Sequence, residues 1–61
     1  MSYAEAKQIA LLRLELRTCW ERHDYTAAGL ALAQLTHIAS SGAGNELTAE
    51  VKRWAFKLQF A

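Results

Sequence analysis

The chain has 61 residues, a formal net charge of +1, one cysteine, no proline and 52% hydrophobic residues. A chain of this length buries only about 60% of its unfolded surface. One cysteine excludes an internal disulfide, so self-association is the favoured source of added stability. The small net charge argues against a strongly acidic nucleic-acid mimic and against a general polycation.

The opening "MSYAEAKQ" has no charged segment followed by an apolar run, so no signal peptide is expected. A free thiol without a secretory signal points to a reducing, cytoplasmic compartment. The first helix is predicted over residues 3–22. At 100° per residue, Ile9, Leu12, Leu16, Cys19 and Trp20 fall within one arc of about 100°, the width of an ordinary core stripe. Leu11 and Leu14 lie on the far side, near Tyr3, Ala4 and Thr18. A helix packed on one core has no use for that second stripe. Leu11 and Leu14 are therefore the expected self-association surface, and the expected state is a homodimer.

The corner "TCWERHDY", residues 18–25, holds a thiol, an imidazole, two carboxylates, a guanidinium, an indole and a phenol. Cys19 and His23 stand four apart, on one helix face, and His37 with a carboxylate would be needed to complete a metal site. In an antiparallel hairpin His37 lies most of a helix length from His23, about 20 Å at 1.5 Å per residue. A catalytic Cys19–His23 pair would need an oxyanion donor and a pocket, which three short helices supply poorly. Simpler roles account for the octet. Cys19 is a small core residue, Arg22 and His23 meet the negative end of the first helix, Glu21 pairs with Arg17 at i, i+4, and Asp24 caps the next helix. No catalytic residue, metal, cofactor or small-molecule substrate is expected.

The second helix is predicted over residues 25–41, inside a run, residues 25–45, with no Lys, Arg, Asp or Glu. Gln34, Thr36, His37 and Ser40 interrupt it too often for a membrane span. A charge-free segment between charged ones suits a central element covered on several sides. Tyr25, Ala28, Leu32, Leu35 and Ala39 share one face, widened by Ala31 and Ile38, and Thr26, Ala33, Gln34 and His37 mark a mildly polar back. Gly29 costs roughly 1 kcal/mol of helix propensity against Ala, which predicts a close helix approach there. "HDYTAA" resembles the corner of a tetratricopeptide repeat at Asp24, Tyr25 and Ala28, with Leu16 where that repeat has its helix-packing glycine. The resemblance implies an αα-hairpin.

"SSGAGN" is the clear break, with Gly42 suited to the left-handed position after a helix end and Asn45 placed to cap the third helix, residues 46–60. Leu47, Val51, Trp54 and Leu58 form its core stripe, while Phe56 and Phe60 point almost the opposite way, among Lys52, Arg53 and Lys57. "VKRWAF" resembles the Val-Lys-x-Trp-Phe core of a homeodomain recognition helix, with Ala55 in place of the following Phe and Lys57 in place of the adenine-reading Asn. The resemblance implies DNA contact by that helix.

The expectation is thus one all-α domain over residues 1–61, a helical hairpin plus a C-terminal helix, completed by homodimerisation. The expected function is non-enzymatic: a module that self-associates and binds a larger protein to modulate or inhibit it. That is the behaviour of a small bacterial or phage accessory factor or regulator. Exposed aromatics beside Arg are the composition of interface hot spots, so Arg53, Trp54, Phe56, Lys57 and Phe60 are the expected partner contacts. The alternative is a small DNA- or RNA-binding regulator using Lys52, Arg53 and Lys57. No membrane partner is expected.

Overall fold

The computed structural model describes residues 2–42 and 44–61. Three helices run in chain order: α1 (Tyr3–Glu21), α2 (Tyr25–Ser40) and α3 (Asn45–Gln59). Among the described residues there is no strand. The protein is all-α, and among the described residues no helix is long and apolar enough to cross a membrane.

Each helix begins for a local reason. Ser2 caps α1, its Oγ accepting the Glu5 backbone N–H at 3.1 Å. "SYAE" carries the spacing of a capping box, a signal readable in the sequence that names this start. Asp24 caps α2 as expected, its Oδ1 accepting the Ala27 N–H at 3.3 Å. The start of α3 differs from expectation. Asn45 is already helical, the cap is Gly44, and no side chain bonds the first turn. Gly44 has φ +109° and ψ 165°, a region open essentially to glycine alone, so the chain enters α3 through backbone freedom rather than a side-chain acceptor. The Gly44 carbonyl accepts from both the Thr48 N–H (3.4 Å) and the Thr48 hydroxyl (3.1 Å).

The ends are equally specific. At the end of α1 the His23 N–H donates to the Trp20 carbonyl at 3.1 Å and the Asp24 N–H to the Cys19 carbonyl at 2.9 Å. This is the crossed pair of a Schellman ending, and it places His23 at φ 60°, where glycine is usual. Asp24 closes one helix with its backbone and opens the next with its side chain. At the end of α2 the hydroxyls of Ser40 and Ser41 both donate to the His37 carbonyl, at 2.8 and 3.1 Å. Gly42 follows at φ +95°, the left-handed position the sequence assigned to it.

The core draws on all three helices. Ile9, Leu12 and Leu16 come from α1, Ala28, Ala31, Leu32 and Leu35 from α2, and Leu47 and Val51 from α3. Cys19, Ile38, Ala39, Trp54 and Leu58 pack partly buried against them. These are the stripes predicted from helical periodicity, except that Trp20 is only partly buried and lies outside the core cluster, and Tyr25 is 37% exposed. Tyr25 is the first helical residue of α2, and there it meets the corner ring of Trp20 rather than the core.

The charge-free α2 is the central element. It packs against both α1 and α3, whose backbones do not closely approach each other. Long side chains make the α1–α3 connection. Arg13 Nε donates to Glu50 Oε2 at 2.7 Å, and the rings of Trp20 and Trp54 meet edge to face at 5.8 Å.

The predicted close approach at Gly29 is absent: a Cβ built there meets nothing within 4 Å. With no contact to lose, Gly29→Ala is expected to stabilise the fold by about 0.5–1 kcal/mol through helix propensity. Urea unfolding measures it, and a destabilised variant would contradict the open space at this site.

Candidate functional site

Phe56 on α3 and Phe60, the residue that caps its C-terminal end, are its most exposed large apolar groups. Phe56 is 65% and Phe60 71% exposed. They stand four residues apart, one helical turn, and their rings lie against each other with centroids 4.9 Å apart. A paired, solvent-facing aromatic surface of this kind binds by desolvation and contact area.

The five residues expected to contact a partner divide into two groups. Phe56 and Phe60 form the outward pair. Trp54 is half-buried against the core and against Trp20. Lys57 lies between these groups in its chemistry. Its Nζ sits 4.8 Å from the centroid of the Trp54 ring and 5.9 Å from that of Trp20, a cation–π arrangement that ties the ammonium to the α1–α3 joint. Arg53 is exposed and borders the same joint. Lys52 is exposed and, at 100° per residue, leaves α3 about 100° around from Arg53. The three cations of the nucleic-acid alternative therefore do not form one stripe.

Between α1 and α3 lies an open depression of about 310 Å³ lined by Arg17, Glu50, Arg53, Trp54 and Lys57. Its one carboxylate, Glu50, is held by Arg13, the only ion pair among the described residues. The expected Arg17–Glu21 pair does not form. Arg17 instead borders this depression, because its place on α1 is beside Arg13 and Trp20, toward α3.

On α1, Leu11 is 57% and Leu14 62% exposed. Both line a second open groove of about 620 Å³ along α1, bordered on the α2 side by Gln34, with Leu12 and Cys19 also on its wall. Leu30, 65% exposed, is an outward apolar residue that sequence reasoning missed. It sits amid Thr26, Ala33, Gln34 and His37, and the polarity of those neighbours masks it, though its angular position is readable from the periodicity.

At the corner, Cys19 is partly buried and packs on the core. His23 turns its ring to Tyr25, Nδ1 standing 2.8 Å from the phenolic oxygen, with ring centroids 5.9 Å apart. His37 lies in the last turn of α2, toward its opposite end. Among the described residues no three His, Cys, Asp or Glu side chains converge on a point.

Among the described residues, fold and surfaces together show three helices around a shared core, several outward apolar side chains and a cationic groove between α1 and α3. No protein-family model matches the chain, and neither a curated protein nor a solved structure does.

Proposed function

We propose that the protein is a non-enzymatic interaction module that self-associates through α1 and binds a larger protein through the outer face of α3, modulating or inhibiting it. The observation that carries this reading is the exposed Phe56–Phe60 pair beside Arg53. The solvent-accessible surface gives further support. At 4500 Å² it exceeds the roughly 4,000 Å² that size scaling gives for a compact monomer of 6.8 kDa. Lys52 leaves α3 in a different direction from Arg53 and Lys57, which gives less support to a nucleic-acid regulator. In this reading the protein works in the cytoplasm as an accessory factor.

The Phe56→Glu/Phe60→Glu double variant tests the partner face. Both side chains are exposed, so its helical circular dichroism is expected to match the wild type while the partner captured by the wild type from native lysate is lost. Retention of that partner at the wild-type level contradicts the reading. Leu11→Glu/Leu14→Glu tests the other face. Light scattering is expected to show a helical species at half the wild-type mass, and an unchanged multimer mass contradicts the role of those leucines.

A further inference from the structure

We propose that the cationic groove between α1 and α3 receives the carboxylates of an acidic segment of the protein partner, with an adjoining apolar side chain resting on Phe56 and Phe60. This rests on reading α3 as the partner-binding helix and names the chemistry of what it binds. Arg17 comes from α1, and Arg53 and Lys57 from α3. Neither arginine has an ion-pair partner among the described residues, and the groove's own carboxylate is already engaged by Arg13 at 2.7 Å. Arg13, Arg17, Arg53 and Lys57 against Glu50 leave a local surplus of three positive charges, whereas the whole chain carries only +1. The remainder of the molecule is thus net acidic, and the groove is where an anion is attracted.

The geometry selects carboxylates over a nucleic-acid backbone. A phosphate chain is met by cations strung along a surface, one for each charge neutralised. Here the cations converge on one depression of about 310 Å³, and Lys52 leaves α3 in another direction. Two guanidinium groups offer forked donors that pair with carboxylates and phosphates alike, so the choice of carboxylates rests on the convergence of the cations on one depression. Lys57, its Nζ held over Trp54 at 4.8 Å, is pre-positioned as a third charge. Phe56 and Phe60 follow Arg53 and Lys57 by three residues each, so the apolar pair begins one turn from the cations. An acidic residue followed closely by an apolar one fits that order.

The test uses a fluorescein-labelled peptide of repeated Glu-Leu-Glu units, its Lys-Leu-Lys counterpart and a labelled 12-nucleotide oligo(dT), each followed by fluorescence anisotropy at low and high salt. The acidic peptide is expected to bind saturably and to weaken on raising salt. Arg17→Gln/Arg53→Gln is expected to weaken it about tenfold with unchanged circular dichroism, and the basic peptide is expected not to bind. No saturable binding of the acidic peptide up to millimolar concentration, an unchanged affinity in the arginine variant, or tighter binding of oligo(dT) overturns the proposal. Capture of the native partner separates this from the broader reading. A partner lost by Phe56→Glu/Phe60→Glu but kept by Arg17→Gln/Arg53→Gln sinks the groove alone. A partner kept by the phenylalanine variant and lost by the arginine variant sinks the aromatic face instead.

Discussion

Leu35→Ala is expected to lower the unfolding free energy by about 2–5 kcal/mol, the range for deleting a fully buried leucine. Leu35 has no exposed surface and lies on α2, the one helix that packs on both others. The lost methyl groups leave a cavity that three short helices close only by shifting against one another. A domain of this size has roughly 3–9 kcal/mol in total, taking the usual stability per residue. The variant is therefore expected to melt at least about 10 °C below the wild type, or to be unfolded at 25 °C. Leu30→Ala, at a 65% exposed position outside the proposed interfaces, serves as the control and should shift stability by only about 0.5 kcal/mol. Similar losses at both positions would contradict the assignment of inner and outer faces.

The second large effect is expected at Trp20. Its ring meets Trp54 at 5.8 Å, Tyr25 at 5.4 Å and the Lys57 ammonium at 5.9 Å. It therefore connects α1, the corner and α3, in a structure where α1 and α3 lack backbone contact. Trp20→Ala is expected to cost about 2–3 kcal/mol, below the 3–5 kcal/mol of a fully buried aromatic because Trp20 keeps part of its surface exposed. A double-mutant cycle with Trp54→Ala separates the ring–ring contact from the loss of burial, with about 0.5–1.5 kcal/mol of coupling expected. Urea denaturation monitored by circular dichroism gives all four corners of the cycle. Additive losses at the two tryptophans would remove the aromatic joint between α1 and α3. By comparison the Arg13–Glu50 pair, with side chains 48% and 28% exposed, contributes little to stability at ordinary salt.

What the sequence made legible follows from the helical period. Each helix shows its core stripe, and the outward positions of Leu11, Leu14, Phe56 and Phe60 follow from the same angles. The central place of α2 follows from its lack of charge. The features that escaped depend on neighbours or on backbone dihedrals. Gly44 rather than Asn45 caps α3, because the entry runs through a conformation that only glycine adopts freely, and composition does not reveal it. Gly29 suggested a close approach, yet the helix surface there is open. Arg17 was assigned to Glu21 along its own helix, whereas its side chain borders a groove shared with α3. The same limit applies to Lys57, whose position over two indole rings from different helices needs the tertiary fold. Leu30 was hidden by the polarity of the residues around it.

The corner Thr18–Tyr25 serves as a turn. Its hydrogen bonds close α1 and open α2, and its rings join the aromatic joint. The more exposed leucines and phenylalanines lie elsewhere, at Leu11 and Leu14 on α1, at Leu30 on α2 and at Phe56 and Phe60 toward the end of α3.

The central claim is that contact with the partner is made by the outer face of α3 and not by the corner. Residue-resolved hydroxyl-radical footprinting of the protein alone and in complex with its captured partner tests this most directly. Phe56 and Phe60 are expected to lose most of their oxidation in the complex, while Tyr25 and His23 react as before. Unchanged oxidation of both phenylalanines, with protection appearing at His23 and Tyr25, would contradict the account.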